Sequence, residues 1–224
     1  LMGLADVQEA TPTTAGPVEP EAPDAVIEGS EGATLIFPGE ASVVGGDTVS
    51  PEDPSTVDAR HLSRFLGQRV VHPLGQELGF IEDVIVDVGR KQAEYQVLRP
   101  APFLGIGPRL VVAPLDGLRW DAERNVFVFD VSVPALQAAP SFTADAWPDF
   151  ADSAWDVSVR GYWGLPSPQM MGNEPVSVRL TALLGAVVRN LVGQSVGSLE
   201  DLLIDRDGVE VYYMLISAGA FTGL

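Results

Sequence analysis

The sequence predicts a mainly β protein: two small β-barrels in tandem, the second incomplete, behind an acidic N-terminal tether that is disordered. Three observations predict it. First, residues 66–106 align without a gap against residues 184–224 at a constant offset of 118, with twelve identical positions. These include Gly67/Gly185, Gly75/Gly193, Gly79/Gly197, Glu82/Glu200, Asp83/Asp201, Asp87/Asp205 and Tyr95/Tyr213. Most other differences exchange one aliphatic for another, so both copies keep the same buried positions, as a duplicated supersecondary unit must. Second, short aliphatic runs punctuated by Gly and Pro are the pattern of small barrels and sandwiches. Third, residues 1–59 carry twelve acidic side chains and no Lys or Arg. Such a segment repels itself and has too few apolar residues to offset its ordering entropy.

The chain divides into four segments. Residues 1–59 are the tether, prolines included, with one apolar exception at 33–37 that can pair as a strand or dock on a barrel, though a transient apolar patch in the linker is the reading expected. Residues 60–135 form the first barrel. Its entry, residues 58–67, reads as a short helix that starts near Asp58 or Ser63 and is closed by Gly67. Strands are expected at 68–73, 78–87, 93–99, 110–114 and 125–131, joined by turns at 74–76, 89–91 and 105–108. Residues 136–178 interleave Phe142, Trp147, Phe150, Trp155, Tyr162 and Trp163 with aspartates at no single period. That spacing predicts an extended strap with a helical turn or two, whose rings cover the barrels or offer an aromatic face to a partner. Residues 179–224 are the second barrel. It stops at the counterpart of Ile106, so the chain reads as shortened, with an unpaired edge at 209–217.

Composition narrows the function. The 224 residues hold 13 Lys plus Arg against 31 Asp plus Glu, a formal charge of −18, which disfavours nucleic-acid phosphates and anionic lipid. Cysteine is absent and there are two histidines, so thiolate chemistry is excluded and metal ligands are scarce. No apolar run is long enough to span a membrane, and the first residues lack the pattern of a signal peptide. The chain opens on Leu1 rather than Met, and so reads as part of a longer product that has lost a targeting segment or an anchor.

The acidic pairs Glu82-Asp83 and Glu200-Asp201 are the carboxylates to weigh for acid/base work. Neighbours on a strand point to opposite faces and cannot converge on one substrate atom, so structural roles are expected: capping turns, accepting N–H bonds, or pairing with Arg69, Arg90 or Arg99. Residues 87–90 and 205–208 read as hairpin turns in which Asp and Gly supply side-chain bonds and positive φ. Calcium at Asp205 and Asp207 would need more oxygen ligands than are visible. His72 is matched by Asn190, which argues against a catalytic base. No nucleophile elbow, phosphate loop or dinucleotide fingerprint occurs, and no cofactor is implied.

The order Leu66-Gly67-x-x-Val70, Gly75 and Gly79, Glu82-Asp83, Asp87, Phe-Leu-Gly-Ile-Gly at 103–107 and Val-Val-Ala-Pro at 111–114 resembles the PRC-barrel family. That family is named for the cytoplasmic barrel of the photosynthetic reaction-centre H subunit, and its barrel also ends the ribosome maturation factors. The resemblance covers residues 60–131 and again 179–224. The stretch that begins Leu-Gln-Ala-Ala-Pro at 136 is similar to the tail of stand-alone bacterial members. What the resemblance implies is a non-catalytic module that docks a protein partner or a membrane complex, without nucleic acid. The acidic surface suits a basic partner, with binding weakened by salt. Phe103, Leu104, Ile106, Arg109, Trp147, Trp155 and Trp163 are the expected contacts. An acidic, proline-rich tether suits an envelope or periplasmic protein spaced from a membrane. The competing class is a hydrolase using Glu82 or Asp87. A ribosome-assembly factor would need an N-terminal domain that residues 1–59 do not supply.

Overall fold

The computed structural model describes residues 25–28, 34–37, 59–166, 176–190, 193–205 and 209–217. Its strands are β1 (Ala25–Glu28), β2 (Thr34–Phe37), β3 (Ala59–His61), β4 (Arg69–Val71), β5 (Glu77–Asp87), β6 (Gln92–Pro100), β7 (Arg109–Pro114), β8 (Arg119–Asp121), β9 (Val126–Val128), β10 (Ser141–Thr143), β11 (Ser177–Arg179), β12 (Val187–Asn190), β13 (Ser195–Asp205) and β14 (Val211–Ser217). Three helices join them: α1 (Val133–Ala138), α2 (Ser153–Trp163) and the single turn α3 (Leu180–Leu183). The fold is mainly β.

Two sheets hold the strands. One runs β10-β7-β6-β5-β4-β9-β8 and the other β14-β13-β12-β1-β2. Among the described residues neither path returns on itself, so closed barrels are not found; closure would require the end strands of each path to pair. Each sheet is built on a long bent hairpin, β5–β6 in the first copy and β13–β14 in the second. Register slips at Ile81/Asp83 and Ile85/Val86 recur at Leu199/Asp201 and Leu203/Ile204. Such bulges bend and twist a strand. Gly79 and Gly197 let these hairpins close: at φ of 147° and 154°, an added Cβ would sit 2.1 Å from the carbonyl oxygens of Arg99 and Ser217.

The two copies exchange their entry segments. β3, from the first copy, pairs with β13 of the second, His61 opposite Leu203 and Ala59 opposite Asp205. β11, from the second copy, pairs with β5 of the first, Arg179 opposite Ile85 and Ser177 opposite Asp87. Every partner in one set maps onto the other at the 118-residue offset, which is the reciprocity of a two-fold relation. The tips of the hairpins meet by the same rule, Ala93 N donating to Val209 O and Val211 N to Lys91 O, each at 2.7 Å. One apolar core therefore runs through both copies, joining Leu62, Val84 and Leu98 to Leu180, Leu199, Leu202 and Ile204.

Three local expectations change. Residues 58–67 do not form one helix: Ala59–His61 is a strand, followed by a 3₁₀ turn at Leu62–Phe65. The backbone of β3 is claimed by β13, while buried Leu62 and Phe65 anchor the turn in the core. In the turn after β5, positive φ falls on Lys91 at 55°, not on Gly89. Within residues 1–59, β1 and β2 pair antiparallel, and β1 adds to the free edge of β12. Thr34–Phe37 is a strand where a transient linker patch was expected, and Ala25–Glu28 is strand where coil was expected. The remainder of the tether lies outside the described residues, as does the turn at 206–208 with its calcium question.

Candidate docking site and the carboxylate clusters

Asp83 and Asp201 sit at the centre of the exchange. The β5 bulge makes Glu82 the extra residue, so Asp83 turns inward and is fully buried while Glu82 faces out to Arg99 at 2.5 Å. Asp83 accepts bonds from Thr181 N (3.2 Å), Thr181 Oγ1 (2.5 Å), Arg179 Nε (2.9 Å) and its neighbour Val84 N (2.9 Å). Asp201 repeats the arrangement with Ser63 N (2.9 Å), Ser63 Oγ (2.5 Å), His61 Nδ1 (2.9 Å) and Leu202 N (2.8 Å). A carboxylate that accepts several charge-assisted and backbone bonds is a rigid staple. Its oxygens are occupied, which leaves it poorly placed to move protons on a substrate.

A second cluster docks α2 on the first sheet. Tyr95 Oη donates to Asp156 Oδ1 at 2.5 Å, and Arg160 Nε reaches Asp156 Oδ2 at 2.9 Å. Arg160 Nη2 donates to Glu94 Oε1, which Arg90 Nη1 also reaches at 3.1 Å, and Arg90 continues to Asp87 Oδ2 at 3.2 Å. Burial pushes the Glu94 carboxyl above its ordinary range, with Asp87 and Asp156 adding to the rise and Arg160 and Arg90 opposing it. The Tyr95 hydroxyl is pushed far up by burial and by its bond to Asp156. Among the described residues no group of three or more His, Cys, Asp and Glu side chains is arranged to hold a metal, and no helix is long and apolar enough to cross a membrane.

The strap works as cover for the first copy. Phe150 and Val159 are buried over Ile85, Tyr95, Val97, Leu110 and Val112, with Phe142, Trp147, Trp155 and Trp163 packed at the margin. Trp155 meets Tyr95 and Phe150 edge to face, ring centroids 5.8 and 4.8 Å apart. The Arg179 guanidinium lies 3.7 Å over the Trp147 ring, tying the strap to the second copy's entry segment. Asp152 caps α2 by accepting from Ala154 N at 2.9 Å, and Gly164 ends it at φ 66°. The helix runs for three turns where a turn or two was expected, because Asp152 and Gly164 supply both caps.

The residues expected to touch a partner are placed differently from one another. Phe103 is exposed, but Leu104 and Ile106 are buried and hold their turn in the core. The turn demands this: Gly105 and Gly107 take positive φ and reverse the chain so that Leu104 and Ile106 both point inward. Arg109 donates to Ile106 O and Ser141 Oγ. Trp147, Trp155 and Trp163 are half-buried in the strap, with Trp163 Nε1 donating to Val112 O and Trp147 Nε1 to Ala144 O. His72 and Asn190 do equivalent work, each closing the turn that follows its strand.

The exposed large apolar side chains include Leu74, Phe80, Val157 and Val187, which the sequence did not single out, and Tyr212, Tyr213 and Leu215 on β14, the strand expected to carry an unpaired edge. The repeat carried the signal. Tyr213 and Leu215 are the counterparts of Tyr95 and Val97, whose cover is β7 and the strap, and the second copy has no such segments among its described residues. The entry segments also carried it, since Leu62/Leu180 and Ser63/Thr181 continue the 118-residue offset ahead of residue 66. No family model matches the chain, and a search of curated proteins finds no match.

Proposed function

We propose that this chain is a non-catalytic docking and assembly module of PRC-barrel type, acting on a protein partner or a membrane complex at the cell envelope. The observation that carries the reading is the turn at 102–107: Phe103 is 65% exposed, while its neighbours Leu104 and Ile106 are buried and hold the turn in the core. An exposed aromatic side chain on a turn anchored in the core suits an interaction surface. The carboxylates support the same reading, since Asp83, Asp201, Glu82 and Asp87 are all engaged in bonds within the fold. A hydrolase using Glu82 or Asp87 has less support, because each is held by an arginine. The test is a pull-down from native extract with the full chain at low and high salt. A specific partner released by salt is the expected result, and recovery of chaperones alone would count against docking.

A further inference from the structure

The two copies share a bulge but not what faces it. The register of β5 on β6 slips so that Ile85 opposes Tyr95 and Val86 opposes Ala93, leaving Glu94 as the extra residue. The second copy repeats the slip, with Leu203 opposite Tyr213 and Ile204 opposite Val211, and there the extra residue is Tyr212. A bulge re-aims the side chain it inserts. Tyr212 is exposed, whereas the Glu94 side chain is 5% exposed beneath α2. We propose that Glu94 is a proton-operated latch on the strap: its neutral carboxyl keeps α2 closed on the first sheet, and its ionisation as pH rises lets α2 open while the sheet beneath stays folded. The latch needs only the α2 cluster and is independent of the docking function.

Arg90 and Arg160 face three carboxylates, Asp87, Glu94 and Asp156, within one buried cluster. Two cations cannot balance three anions away from water, and one proton restores neutrality. The bonding pattern fixes its place. Asp156 is engaged on both oxygens, Oδ1 by Tyr95 Oη at 2.5 Å and Arg160 Nε at 3.1 Å, Oδ2 by Arg160 Nε at 2.9 Å. Asp87 Oδ1 accepts from Arg90 N at 2.9 Å, and its Oδ2 has Arg90 Nη1 at 3.2 Å. Glu94 accepts from both guanidiniums on Oε1, while its buried Oε2 has no partner among the described residues. Burial of Glu94 acts in the same sense, favouring the neutral form.

The other elements around Glu94 bring no third cation into the cluster among the described residues. Lys91 is exposed, and Arg179 on β11 is held by Asp83. Leu115, whose N donates to Glu94 O, is followed by exposed Asp116, and the second copy meets β6 at Gln92 through exposed Glu210. Opening α2 withdraws Asp156 and Arg160 together and hands Glu94 to water, where its carboxyl takes the ordinary value of 4.5. The closed form therefore holds the proton more tightly, and opening becomes easier as pH rises from 4.5 until Glu94 is ionised in the closed form as well. Phe150 and Val159, packed over Ile85, Tyr95, Val97, Leu110 and Val112, keep the closed form the major one. The latch sets how often that apolar face is bared.

The test is amide exchange of the full chain at pH 4.5 and at about pH 7, expressed as protection factors so that the intrinsic pH dependence divides out. Amides 156–163 of α2 should be at least about tenfold less protected than amides 81–86 of β5, the mark of an opening short of global unfolding. They should lose about a further fivefold between the two pH values. Glu94→Gln, its folding checked by its unfolding midpoint, should abolish that loss. Equal protection of 156–163 and 81–86 overturns the latch, because α2 would then open only with the whole molecule. So does protection of α2 that is unchanged or higher at the upper pH. A loss of the same size in Glu94→Gln also overturns it, since the proton would then sit elsewhere.

Discussion

Asp83 shows how one side chain can hold two segments about a hundred residues apart in the sequence. It is fully buried, and three of its four bonds come from the second copy's entry segment, so Asp83→Ala strands Arg179 and the Thr181 donors together. Removing one partner of a buried pair costs about 3 kcal/mol, which should appear as a lower midpoint in a urea melt. Asp201→Ala should cost less, about 2 kcal/mol, because its third partner is the imidazole of half-exposed His61 rather than a guanidinium. Glu94 makes a prediction of opposite character. Burial raises its folded-state value above the ordinary 4.5, so the native protein holds that proton more tightly than the unfolded chain does. Its contribution to stability is present below the ordinary value and lost as pH rises through the raised one. Glu94→Gln keeps the site neutral at every pH, so its stability relative to the parent should climb as pH rises from 4.5. A difference that is flat across that window in paired melts would exclude the effect.

At the scale of elements, the hairpins were legible and their partners were not. Alternating aliphatics and paired glycines place β4–β6 and β12–β14 within a residue or two, because these signals are local to each strand. The exchange of β3 and β11 leaves no such trace, since His61 and Asp201 meet across 140 residues and three-residue strands have no periodicity to read. Asp83 was legible as a structural carboxylate, yet Arg179 was not among the arginines expected for it, because sequence proximity favoured Arg69, Arg90 and Arg99. The strap's cover of the first copy was readable from its rings, and the unpaired edge at 209–217 was expected from the alignment of the two copies. Equal glycines in unequal settings give the element-scale prediction. A Cβ at Gly79 or Gly197 meets a strand carbonyl at 2.1 Å. β6 is held on its far side by β7, while among the described residues no strand lies beyond β14, which can therefore shift away. Gly79→Ala should therefore destabilise by about 3 kcal/mol and Gly197→Ala by roughly half as much, as read from thermal midpoints.

For the whole molecule, reciprocal exchange means that neither copy completes its own core. Each long strand has part of one edge covered by the other copy's entry segment, and a single apolar cluster runs across the two-fold relation. Structures of this kind unfold as a unit, because opening one half strips buried surface and paired backbone from the other. The chain carries its own reporter. All four tryptophans, Trp120, Trp147, Trp155 and Trp163, belong to the first copy and its strap, and none lies in the second copy. Asp201→Ala perturbs a bond set that contains no tryptophan and sits on β13. If the copies are one cooperative body, the substitution lowers the urea midpoint seen by tryptophan emission by the same amount as the midpoint seen by far-ultraviolet circular dichroism. Two independent units would instead leave the tryptophan transition where it was and split the dichroism curve in two. Coincident, equally shifted curves would also mean that any gain in stability on one copy is shared by the other through the exchanged segments.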